Sequence, residues 1–66
     1  MMSESFTRDL KRVLRDNACR FERQGKGDHE IWFSPITSRY FVVDSQIKSR
    51  HTANAVLKQA GISKKY

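Results

Sequence analysis

The sequence is poor in the residues that would open alternative routes to stability or location. It has one cysteine in 66 residues, which excludes an internal disulfide and makes a reducing, cytoplasmic setting the expectation. Proline occurs once and glycine three times, and no repeat, linker or low-complexity stretch interrupts the chain. There is no apolar run near the roughly 20 residues that a membrane-spanning helix needs, and no apolar segment of the secretory-leader kind near the start. Acidic residues are absent from Ser45 to Tyr66, a stretch that holds Lys48, Arg50, Lys58, Lys64 and Lys65. Against 7 acidic residues the chain carries 13 Lys and Arg, a net charge of +6 and a pI near 10.0. Such a field draws a polyanion, either nucleic acid or an anionic membrane surface. A single domain of this size buries only about 60% of its unfolded surface, so any chemistry must sit near the surface.

What is present reads as helix, three strands, helix. From Ser3 to Asn17, Phe6, Leu10, Val13 and Leu14 recur at helical spacing with Arg8, Lys11, Arg12 and Arg15 on other faces, which predicts an amphipathic helix capped by Ser5 or Ser3. Cys19, Phe21 and Arg23 alternate with Arg20, Glu22 and Gln24, the period of a short strand running into the turn Gly25 to Gly27. His29 to Ser34 is the second strand, stopped by Pro35, and Arg39 to Asp44 the third. Ala53, Val56, Leu57 and Ala60 mark one face of a helix over Ser49 to Ala60, with Gly61 placed for a left-handed cap. Short connections make the strands an antiparallel meander. Both helices then cover one face of the sheet, giving a two-layer α+β sandwich of a single domain over residues 1–66. Ser63 to Tyr66 reads as a loose basic tail.

The segment Gly25 to Phe33 (GKGDHEIWF) carries the chemistry. It delivers His29 from a glycine turn onto the start of a strand, and an imidazole of ordinary pKa, about 6.5, exists in both protonation states near neutrality. Lys26 and Arg23 favour its neutral form, Asp28 and Glu30 the charged one. On spacing alone, a lone histidine in a small domain is more often a surface or hydrogen-bonded strand residue than a catalyst. His51 falls in the first turn of the last helix if Ser49 is its N-cap, where free N–H groups favour an anion; its plainer reading is an exposed helix-start residue. Asp28, His29 and Glu30 do not make a metal site, because on a strand the middle residue points away from its neighbours. Gly25-Lys26-Gly27 is too short for an NTPase phosphate loop and reads as a hairpin turn. Trp32, Tyr40 and Phe41 suit either a core or base stacking. Alternation puts His29 with Ile31 and Phe33, opposite Trp32, without saying which face is buried.

Together, the element order, the Gly27-Asp28-His29 turn, the strand EIWFSP and the ending AVLKQAGIS resemble the HicA family of bacterial toxins, over nearly the whole chain. The resemblance implies a fold similar to a double-stranded RNA-binding domain, the activity of an mRNA interferase, and a cognate HicB antitoxin as partner. It carries the family's catalytic histidine onto His29, with Gly27 as the turn glycine. Asp28 departs from the serine that many members have there, and sets a carboxylate beside the proposed base. The lysine cluster that opens the last helix of duplex-binding modules is reduced here to Lys48-Ser49-Arg50-His51, which argues against a pure duplex binder.

The reading that follows is a metal-independent endoribonuclease in which His29 acts on the substrate's own 2′-hydroxyl, without a cofactor. Lys26, Lys48, Arg50 and Lys58 position phosphates, and His51 or water supplies the second proton. The alternative is a non-catalytic RNA-binding module on the same basic surface. A third is an adaptor whose basic face meets an acidic protein.

Overall fold

The computed structural model describes residues 5–66. Its order is α1 (Thr7–Asp16), β1 (Arg20–Gln24), β2 (His29–Ser34), β3 (Arg39–Asp44) and α2 (Arg50–Ala60), with the antiparallel sheet in the order β1-β2-β3. The expected α-β-β-β-α layout is the observed one.

α1 starts later than its periodicity suggests. Phe6 is the N-cap, without a side-chain cap of its own, and its N–H donates to Ile47 O at 2.6 Å. Thr7 Oγ1 in turn accepts from Ile47 N at 2.8 Å. This tertiary tie fixes the chain just ahead of the helix. Ser5 Oγ accepts from Thr7 N at 3.1 Å; the alternative cap, Ser3, lies outside the described residues. Leu10, Val13 and Leu14 are the buried stripe. Cys19 is buried and precedes β1, whereas its place in the alternating pattern suggests a residue of the strand itself. Every residue of β1 is exposed.

The sheet has a covered and an open face. Trp32 pairs with Phe41 and Glu30 with Val43 across β2 and β3; Trp32, Ser34, Phe41 and Val43 are buried in the core formed with α1, α2 and Ile47. α2 packs on β3 and on α1, burying Ala53, Val56, Leu57 and Ala60. Glu30 on this face is satisfied by Trp32 Nε1 at 2.9 Å and Lys11 Nζ at 3.1 Å. Burial works to raise its carboxyl, but the hydrogen bonds from Trp32 and Lys11 outweigh this and leave it below its usual value. A bulge between Phe21 and Arg23 breaks the simple alternation of β1. Phe21 stays opposite Trp32, whereas Arg23 is moved opposite Ile31, onto the open face.

The ends of α2 follow their sequence signals. Ser49 Oγ accepts from His51 N at 3.1 Å, and Gly61 adopts φ 78°. Ser34, fully buried, donates through Oγ to Ala60 O at 2.6 Å and locks the end of β2 to the last turn of α2. Ser63, Lys64 and Lys65 are exposed, whereas the last residue, Tyr66, is docked. Tyr66 N donates to Asn54 Oδ1 at 2.7 Å and Tyr66 OH to Asp9 Oδ2 at 2.7 Å, while its ring lies edge-on to Phe6 at 5.1 Å. An aromatic ring that finds both an apolar neighbour and a carboxylate has reason to settle, which the polar, basic composition of this segment hid.

Candidate active site

His29 begins β2, and its backbone is held on both sides. Its N–H donates to Lys26 O at 3.1 Å, and its carbonyl accepts from Gly25 N at 2.8 Å and from Gln24 Nε2 at 2.9 Å. Gln24 Nε2 also bonds Gly27 O at 3.1 Å, so one amide side chain spans the turn. Both glycines serve this geometry. Gly27 has φ 58°, a conformation costly for other residues, and a Cβ on Gly25 would stand 3.2 Å from His29 O.

Strand alternation puts His29 on the open face, on the same side as Ile31 and Phe33. Its side chain is 50% exposed. Directly opposite on β3 stands Asp44, whose Oδ1 meets His29 Nδ1. A carboxylate accepting from Nδ1–H fixes the tautomer and leaves the lone pair on Nε2. The two residues share a cleft of about 400 Å³ with Gly27, Asp28, Ser45 and Gln46. Asp28 lines that cleft, yet among the described residues the carboxylate paired with the imidazole is Asp44's. Asp44 was not singled out in the sequence, although a signal was there. The loop 35–38 sets Ser34 opposite Arg39, and counting back along the hairpin pairs His29 with Asp44.

The other candidates are distributed differently. His51 and Lys58 line a second cleft of about 640 Å³, together with Asn54, Lys64 and Lys65. The cleft at His29 and this one share no lining residue. Lys26, Lys48, Arg50 and Lys58 are all exposed and make no ion pair among the described residues. Lys26 belongs to the turn that carries His29; Lys48 and Arg50 flank the N-cap of α2. Trp32 and Phe41 are core residues, whereas Tyr40 is exposed. Of the α1 arginines, Arg12 is engaged with Asp9 at 2.7 Å and Asp16 at 3.2 Å. No group of three or more His, Cys, Asp or Glu among the described residues is placed to hold a metal ion. No helix among them is long and apolar enough to cross a membrane.

Neither the comparison with curated proteins nor that with solved structures finds a match. A family model described as the HicA toxin of bacterial toxin-antitoxin matches residues 7–62, from the first residue of α1 to just past the Gly61 cap. The stretch contains both helices, the whole sheet and the His29–Asp44 pair. The chain belongs to the HicA toxin family.

Proposed function

We propose that this toxin is an endoribonuclease of the mRNA interferase kind and that His29 is its general base. One observation carries the reading: a half-exposed imidazole whose Nδ1 meets the Asp44 carboxylate, which leaves Nε2 as the nitrogen that can take a proton. RNA brings its own nucleophile. Nε2 takes the proton of a 2′-hydroxyl, the 2′-oxygen attacks the adjacent phosphorus, and the P–O5′ bond breaks. The 5′-oxygen leaves with a proton from solvent, giving a 2′,3′-cyclic phosphate and a 5′-hydroxyl. Asp44 stabilises the imidazolium formed in the first step, as a carboxylate behind a catalytic histidine does in hydrolases. The second proton comes from water or from His51, which lines the second cleft.

Phosphate positioning falls to Lys26 beside His29 and, farther along the RNA, to Lys48, Arg50 and Lys58. The partner in the resting state is an acidic HicB-type antitoxin that covers His29, and the site of action is the cytoplasm. His29→Ala should abolish cleavage of RNA while leaving folding and RNA retention nearly intact; a variant that cuts at the wild-type rate ends the assignment. Cleavage should continue in a chelator and stop when the target nucleotide lacks its 2′-hydroxyl. A saturating antitoxin should silence the nuclease.

A second reading, a non-catalytic RNA-binding module, draws on the cleft around His51 and Lys58, whose lining has Lys64 and Lys65 and no carboxylate. It requires salt-sensitive retention of RNA with no shortening of the strand over long incubation.

A further inference from the structure

The open face of the sheet has more on it than His29. β1 contributes Arg20 and Arg23, β2 Ile31 and Phe33, and β3 Tyr40 and Val42, as the pairing of Arg20 with Phe33, Arg23 with Ile31, Phe33 with Tyr40 and Ile31 with Val42 requires. Both helices lie on the other side. Tyr40 is 62% exposed and Val42 45%. The rings of Phe33 and Tyr40 meet edge-on at 5.0 Å, and the guanidinium of Arg20 lies over Phe33 at 4.7 Å from its centroid. Among the described residues the carboxylate paired with these arginines is Glu22, 3.8 Å from Arg20 Nε, and Arg23 has no ion pair. Glu22, Arg23 and Tyr40 line a shallow depression across the strands.

We propose that this face is a stacking platform for single-stranded RNA, with a base beside the cleavage point lying on Tyr40 and the backbone following Arg20 and Arg23. The inference rests on the ribonuclease reading above and deepens it. Two observations favour RNA as the occupant. The first is continuity: strand pairing puts His29, Val42 and Tyr40 on this one face, with Tyr40 about 13 Å from His29 along the strands at the usual rise per residue, so RNA bound at His29 can continue across them. The second is chemistry: the exposed ring of Tyr40, with the partly buried Phe33 beside it and the guanidinium groups of Arg20 and Arg23 on the same face, matches bases and phosphates at once. Unpaired bases are needed for stacking, so the platform selects single strands over duplex.

The test uses the full chain and a mixed-sequence 2′-O-methyl RNA, which cannot be cut, as a single strand and annealed to its complement. Tyr40→Ala should weaken single-strand binding about tenfold, from the typical worth of one stacked base, and leave duplex binding unchanged. Tyr40→Phe, which keeps the ring, should bind as wild type. Tyr40 is exposed, so both variants should fold, and their thermal unfolding checks it. Equal single-strand affinity of Tyr40→Ala and wild type overturns the platform while the nuclease reading stands, provided wild type cuts unmodified RNA. If Tyr40→Ala loses affinity for the antitoxin but keeps it for single strands, the face belongs to the protein partner and the platform is wrong. Wild type that neither cuts RNA nor binds the single strand overturns both readings.

Discussion

The carboxylate of Asp44 sits on Nδ1 of His29, so a variant at position 44 changes the imidazole's orientation without removing it. An Asn at this position can donate as well as accept, and so permits the wrong tautomer. Asp44→Asn should slow cleavage in single-turnover experiments, by less than the roughly 10²–10⁴-fold that a general base contributes, with RNA affinity unchanged. Asp28→Asn, beside the histidine in sequence but unpaired with it, should have the smaller effect. Residue-level legibility divides along the same line. The turn chemistry of Gly27 and the position of His29 are local properties, readable from a few neighbouring letters. The partner of the imidazole is set by hairpin register, fifteen positions away along the chain, and adjacency drew attention to Asp28 instead. Tyr40, Trp32 and Phe41 show the same limit, since aromatic character is visible in sequence but burial depends on which face the helices cover.

Among the elements, β2, β3 and α2 keep the bounds their patterns suggest because each boundary has its own chemistry: Pro35 after β2, Ser49 before α2, Gly61 after it. Gly61 does two jobs. Its φ is 78°, and a Cβ there would come within 2.8 Å of both Ile36 Cγ2 and Thr37 Cγ2. Gly27 shares the positive φ, 58°, but has open space around its Cβ position. Gly61→Ala should therefore destabilise the protein by more than the roughly 1–2 kcal/mol of left-handed strain, and Gly27→Ala by about that strain alone; chemical denaturation of the two variants compares them directly. The elements that departed from expectation did so through tertiary contacts. The start of α1 is fixed by Ile47, and Tyr66 is held by Asp9, Asn54 and Phe6. Neither contact leaves a periodic trace. Burial, then the hydrogen bond to Asp9, pushes the Tyr66 hydroxyl up from 10.0 to about 12. A value raised in the folded state means stability present in full below the unfolded pKa and lost as pH rises through about 12. Tyr66→Phe should remove this alkaline loss from a series of thermal unfolding curves.

For the molecule as a whole, one small core supports everything described. A chain of this length has about 3–10 kcal/mol of stability at typical values per residue, and Leu57, 1% exposed, lies within its core. Leu57→Ala, at about 2–5 kcal/mol, should leave the protein near its unfolding limit at room temperature, visible as a far lower thermal midpoint. The acid side has its own limit. Hydrogen bonds from Tyr66 and Arg12 lower Asp9 below 3.8, and Glu30 lies below 4.5. Lowered folded values contribute stability above the unfolded pKa, and that stability is lost as pH falls through them. With the helices occupying one side of the sheet, the other side is left to present His29, Asp44 and Tyr40, while the positive charge of the chain supplies the attraction for a polyanion. The composition disclosed that charge from the start; the division of the sheet into a packed and an open face needed the fold. A catalytic role for His29 on that open face is tested by a single-turnover assay of purified wild type and His29→Ala on an unmodified RNA, with the ends of the products identified. Wild type should give fragments bearing 2′,3′-cyclic phosphate and 5′-hydroxyl ends and the variant none; equal cleavage by both proteins would rule out His29 as the base.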